Sequence, residues 1–247
     1  METTPGVLPE SAIAAVLFAC AFLFGDRFRP LKWLGADRRA LISFGAGMSA
    51  AYVFVHLMPE LDGAREAFAE SLSEIVRYEG MAIYLFALLG FIVFYGLETW
   101  RTRLRELPRA ERTMNELKLH VIGFVGYVSL MGYLSAHGLE ETRSSTALFT
   151  IAIVFHLLGV DHEFRREHGA AYTLNTRFVL AGAAIVGWVI ALVIELPRAV
   201  IASLLAFVSG AVIMNSMVME LPSEKEGRFL PFLAGAGVYG ILLVPLG

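Results

Sequence analysis

A chain of 247 residues with 57% hydrophobic and only 17% charged side chains is too apolar for a water-soluble domain of its length, so its composition places it in a bilayer. The formal charge of −3 says nothing of partners, because in a membrane chain the position of each charge matters and not the total. A single cysteine, Cys20, excludes an internal disulfide and a cysteine-based metal cluster.

A spanning helix needs about 20 mostly apolar residues, because hydrocarbon offers the backbone no hydrogen-bond partner. Eight segments meet this need: 8–25, 40–58, 80–98, 119–137, 145–161, 177–195, 199–221 and 229–246. The expected fold class is therefore an all-α integral membrane protein, with 1–247 forming one transmembrane domain. The first segment is expected to remain as a helix and not to act as a signal peptide, since Glu2 and Glu10 flank it and the basic residues follow it.

The second segment ends in His56, Pro59 and Glu60. His56 and Glu60 are four residues apart, hence on one side of a helix, where an imidazole and a carboxylate can share a borderline cation such as zinc. The same pair also suits an interfacial histidine bonded to a helix-end glutamate, with Pro59 marking the helix exit. The third segment ends at Glu98 and the sixth at Glu195, both read as boundary residues. Between the third and fourth, the arginines of 101–112 alternate with Glu106 and Glu111, as in a solvated helix.

The fourth segment offers His120 and His137 at its two ends, and its centre (Tyr127, Ser129, Met131) holds no strong ligand. The fifth contains FHLLGVDHEF at 155–164, followed by His168. His156 sits more than a turn inside the helix, where an ionisable group is costly and usually has a partner or a function. Asp161 and His168 share a face with Arg165 between them, while His162 points elsewhere; Arg165 and Arg166 can repel a cation there and pair with Asp161 and Glu163 instead. The seventh segment carries Asn215, the deepest amide, with Ser216 and Glu220 four residues apart presenting oxygens on one face. Such an Asn or Ser also serves as hydrogen-bond glue between helices.

Two stretches repeat one another. FGAGMSAAYVFVHLMPE at 44–60 and LAFVSGAVIMNSMVMELPSE at 205–224 share their punctuation at an offset of 163, pairing Phe44 with Phe207, Gly47 with Gly210 and Pro59 with Pro222. Tyr95-Gly96 and Tyr239-Gly240 share an offset of 144, the difference being taken up by the acidic loop after the second helix. Sixteen of the 20 Lys and Arg residues fall in loops on one side; only Arg65, Arg77, Arg143 and Arg198 fall on the other. The positive-inside rule then puts both termini outside the cytoplasm, with the plasma (inner) membrane as the expected location. Helices one to three and six to eight start on opposite sides, so the layout is 3+2+3 with inverted repeats, about 8–98 and 177–246 around central helices at 119–161. Such repeats belong to transporters far more often than to receptors or enzymes.

This layout, the ending HLMPE of the second helix, the seventh helix AFVSGAVIMNSMVMELPSE and FLAGAGVYGILL in the eighth together resemble the ZIP (zinc/iron permease-like) metal transporters. The resemblance implies passage of divalent cations such as zinc between two rigid units. It also implies a metal site from an HNxxDG-like motif in the fourth helix and an HExPHE-like or HNxPEG-like motif in the fifth. His156 stands where the fifth-helix motif has its first histidine and Asp161 where it has its later acid, but Leu157 and Val160 replace ligand types, so the usual two-metal centre is absent or remade.

The expected metal ligands are His56, Glu60, His156, Asp161, Asn215 and Glu220, on a path from His56 and Glu60 outside, past Asn215 and His156, to Glu220 and Asp161 inside. The metal ion is substrate, bound zinc or a similar divalent cation being the sole cofactor implied; the other partners are membrane lipid and, as one assembly the chain allows, a homodimer. No nucleic-acid signal is present. A non-conducting relative of the same fold, with a binding or regulatory role, is the alternative. An intramembrane zinc hydrolase is disfavoured, because no HExxH is present and hydrolysis has no need of an inverted repeat.

Overall fold

The computed structural model describes residues 7–25, 38–71, 79–104, 109–137, 143–216 and 227–244. Among these the chain is helical almost throughout and has no strand. The elements are α1 (Val7–Phe24), α2 (Arg38–Ala51), a π-helical turn (Tyr52–Leu57), α3 (Met58–Ser71), α4 (Glu79–Leu104), α5 (Arg109–Leu134), α6 (Arg143–His168), α7 (Leu174–Val193), α8 (Arg198–Met214) and α9 (Phe229–Leu243). With α2, the π turn and α3 continuous, the described residues form eight helical stretches, one on each of the eight expected segments; 217–221 of the seventh and the end of the eighth lie outside the described residues.

Among the described residues, three helices are long and apolar enough to cross a membrane, Gly80–Leu104, Glu116–Leu134 and Leu174–Val193; Pro9–Phe24, Arg198–Met214 and Phe229–Leu243 are shorter and apolar. Large apolar side chains are exposed along α4, among them Met81, Leu85, Leu88 and Leu89. Hydrocarbon makes that exposure favourable where water would not.

The second helix does not end at Pro59. Proline has no N–H and its ring meets the carbonyl four residues earlier, which in a regular helix forces a break or kink. Here the chain widens one turn ahead of the proline, and the Met58 N–H bonds to the Val53 carbonyl, five residues back. A π turn at this place takes up the missing bond and lets the helix run on to Ser71. Asn215 and Ser216 carry the same π-helical departure, at the expected 163-residue offset from Tyr52 and Val53.

The chain divides into two compact units. One contains Met1–Asp26 and Ile92–Pro197, hence α1, the second half of α4, α5, α6 and α7; the other contains Arg27–Phe91 and Arg198–Gly247, hence α2, α3, the first half of α4, α8 and α9.

Within the second unit, two helix pairs meet backbone to backbone. A methyl group on Gly47 would overlap the Phe232 carbonyl and one on Gly235 the Phe44 carbonyl, so α2 and α9 cross at these glycines. A methyl on Gly90 would likewise overlap the Phe207 carbonyl, and one on Gly210 the Ala87 carbonyl, which joins α4 to α8. Lipid tails are as apolar as the helices, so close approach through small residues is what holds such pairs together. The first unit has a crossing of the same kind between α5 and α7, with Gly132 against the Ala184 carbonyl and Gly187 against that of Ser129. There, the Trp188 indole N–H donates to Ser11 Oγ at 3.1 Å, tying α7 to α1. The Tyr133 hydroxyl donates to the Ile194 carbonyl at 3.1 Å and accepts from the Leu196 N–H at 3.2 Å, satisfying the end of α7.

Candidate metal centre

The charged turns that flank the apolar spans stay helical, so α5 begins at Arg109 and α6 runs to His168. Gly169, at φ 51°, then takes the left-handed conformation that ends a helix at low cost, and His168 becomes the last residue of α6. These longer helices bring His120 of α5 beside His168. His120 Nδ1 and His168 Nε2 share a hydrogen bond of 3.0 Å, and one ligand atom from each of His120, Glu167 and His168 lies within 4.8 Å of the others. Both histidines are buried, at 8% and 6% exposure. The His120 ring stacks on Phe164 at 4.0 Å between centroids and meets Phe124 edge-on at 5.0 Å, which fixes its plane.

Two imidazoles and a carboxylate suit zinc and its borderline neighbours. A tetrahedral ion with bonds of roughly 2.1 Å places two nitrogen ligands about 3.4 Å apart, so the pair needs only a small opening of its hydrogen bond to accept one. Of the three, His120 was legible as an isolated helix-end histidine and His168 as a residue sharing a face with Asp161, whereas Glu167 had no signal in the sequence.

Next to this cluster lies a buried guanidinium. Arg101, only 3% exposed, donates from Nε to Glu98 Oε2 at 2.7 Å and from Nη2 to the other oxygen of Glu98; its Nη1 donates to Glu167 Oε2 and is 3.6 Å from Glu116 Oε1. The reading of the 101–112 arginines as a solvated face is therefore corrected at its first member. A guanidinium keeps its charge at any pH a protein meets, so burial is tolerated only with paired acids around it.

The remaining expected ligands fall in separate places. Asp161, buried at 1% exposure, accepts from Arg165 Nε at 2.6 Å and Nη2 at 3.1 Å, and from the Tyr172 hydroxyl at 2.9 Å. Arg166 donates to Glu163. The salt-bridged arrangement weighed for this helix end is thus present, and His162, expected to point elsewhere, is exposed. Burial, followed by the charge of Asp161, pushes the Tyr172 hydroxyl well above its usual range, so it stays a donor. Burial also raises the Glu163 carboxyl, against the pull of Arg166.

His156 is buried at 4% exposure, and its Nε2 shares a hydrogen bond of 2.9 Å with the Tyr127 hydroxyl. In the second unit, His56 Nε2 and Glu60 Oε2 are 3.9 Å apart with side chains 5% and 9% exposed, on either side of the end of the π turn. Asn215 and Ser216 are buried at 3% and 4%. Glu220 lies outside the described residues. Within the first unit, His156 and Asp161 have separate partners; His56 and Glu60 are brought together.

Fold and sites define an all-helical protein whose longest apolar helices have the length and composition of membrane spans. No protein-family model matches the chain, and no curated protein matches it.

Proposed function

We propose that the chain is a divergent ZIP-like carrier of divalent cations such as zinc, not an enzyme, with eight spanning helices in a 3+2+3 layout and the cation as substrate. The observation that carries this reading is the pair of backbone crossings in the second unit. Phe44 and Gly47 meet Phe232 and Gly235, while Phe207 and Gly210 meet Ala87 and Gly90. An offset of 163 relates the first member of each crossing, and an offset of 145 relates the partners, Ala87 to Phe232 and Gly90 to Gly235. One packing solution used twice, by sequence-related helices, is what an inverted repeat produces. Each compact unit also takes corresponding members of both triplets, the first and sixth helices in one and the second, seventh and eighth, with the first half of the third, in the other.

His120, Glu167 and His168 form the site nearest in chemistry to a zinc centre, at the end of α6 that the charge split puts in the cytoplasm. His56 with Glu60, and His156, Asn215 and Glu220, are further stations on the path. Reconstituted vesicles loaded with a zinc-sensing dye test this reading. Uptake above that of protein-free vesicles supports it, and its absence for zinc, iron(II) and manganese(II) alike rejects it.

One observation favours a non-conducting relative with a binding or regulatory role. Two carboxylates of the first unit that a cation would want are already held by arginines, Asp161 by Arg165 and Glu167 by Arg101. Zinc that binds at the histidine pair without crossing the vesicle wall would select that alternative.

A further inference from the structure

We propose that Arg101 is a built-in competitor for the cation at His120, Glu167 and His168: its guanidinium holds Glu167 in the absence of an ion and yields that carboxylate when one arrives. The inference rests on the reading of this cluster as a cation site and adds the group that sets its affinity.

Glu167 belongs to two sets at once. One of its oxygens accepts from Arg101 Nη1, and the same side chain supplies the carboxylate of the three-ligand cluster. A divalent cation on either oxygen of Glu167 would sit within a few ångströms of the guanidinium held on Oε2, where with little water between them the two positive charges repel strongly. Little water screens the pair, since Arg101 is 3% exposed and the Glu167 side chain 9%.

The exchange leaves neither charge stranded. Glu98 grips Arg101 through both Nε and Nη2, and Glu116 stands 3.6 Å from Nη1, so the guanidinium keeps two acids after releasing the third. Arg101 thus keeps Glu167 paired between binding events and lowers the affinity of the site for any cation that must displace it. A moderated affinity suits a site that has to release its ion.

The test titrates zinc alone onto the full-length protein in detergent, in competition with a chromophoric chelator. Arg101→Gln should tighten zinc binding by about tenfold or more, because the ion no longer has to displace a charge. In a Glu167→Gln background the same replacement should change affinity by less than about threefold, because the contested carboxylate is gone. Unchanged or weaker binding by a well-folded Arg101→Gln protein overturns the proposal. So does a full gain that persists without Glu167, which would make Arg101 a general repulsive charge. Should Arg101→Gln fail to fold, Glu98→Gln serves: it removes the main holder of the guanidinium, leaves it more firmly on Glu167 and should weaken zinc binding, and an unchanged affinity overturns the proposal equally. His120→Ala and His168→Ala tell the two failures apart. If they abolish binding while Arg101→Gln leaves it unaltered, the competitor role alone falls; if they leave it as in the wild type, the cation-site reading falls and takes the competitor role with it.

Discussion

Each of the two compact units is held together by its own means. The second relies on bare backbone: four glycines, at 47, 90, 210 and 235, each face a carbonyl of a neighbouring helix with no room for a methyl group. The first has one such crossing, at Gly132 and Gly187, and adds a buried polar system in which Arg101, Glu98, Glu116, Glu167, His120 and His168 interlock, with Asp161, Arg165 and Tyr172 close by in sequence. Backbone crossings cannot adjust by rotating a side chain, whereas polar groups can exchange partners. The difference teaches that packing and the densest polar chemistry are separated: the second unit is fixed by its crossings and carries His56, Glu60 and Asn215 among them, while the first holds the interlocked histidine and carboxylate cluster.

The comparison is broken most severely at a crossing. Gly210→Val pushes two branched carbons into the Ala87 carbonyl and should cost about 3 kcal/mol or more, seen as loss of the folded species in thermal unfolding in detergent. Gly182, where an added methyl group would meet nothing within 4 Å, supplies the control: Gly182→Ala should leave stability unchanged or raise it by up to about 1 kcal/mol. Equal losses in both would mean that the crossings are not close.

Asp161 sharpens the other half. Its partners are Arg165 and Tyr172, so Asp161→Asn should lower stability by about 2 kcal/mol while leaving zinc affinity at the wild-type value. A large loss of zinc binding with stability intact would instead return Asp161 to the ligands. A smaller effect is expected at Tyr127→Phe, which deletes the hydroxyl bonded to His156 and should cost about 1 kcal/mol in the same unfolding measurement.

The smallest effect belongs to an exposed pair beyond the spans. The hydrogen bond from Arg65 and its charge hold the Asp62 carboxyl below the usual carboxylate range. A carboxyl depressed in the folded state contributes stability that is present above its ordinary value and is lost as pH falls through the folded value. Asp62→Asn should therefore lower stability at neutral pH, only slightly since water screens the pair, and the difference from the wild type should vanish as pH falls through the folded value. A shift at neutral pH larger than that of Tyr127→Phe would contradict this ranking.

The helices were legible because a spanning segment must be apolar along its whole length, and that property is local. His156 and Asn215 were legible for the same reason, as polar groups that apolar helices had to bury. Pro59 misled, since the rule that proline ends a helix takes no account of a π turn that opens to receive it. Arg101 was illegible, because an arginine among alternating charges looks the same on a solvated face as in a network whose partner Glu167 lies 66 residues away. The histidine pair fell between these cases. His120 faces His168 and Phe124 faces Phe164, a step of four in opposite directions, but that register exists only if both helices outrun their apolar spans.

The coordination of the bound ion tests the central claim most directly. X-ray absorption at the zinc edge, on protein loaded with one equivalent of zinc, should show two imidazole nitrogens and carboxylate oxygen at roughly 2.0–2.2 Å. The imidazole signature should disappear in the His120→Ala, His168→Ala double variant. A shell of oxygens alone, or a spectrum unchanged in that variant, would contradict a zinc-binding centre at the meeting point of α5 and α6.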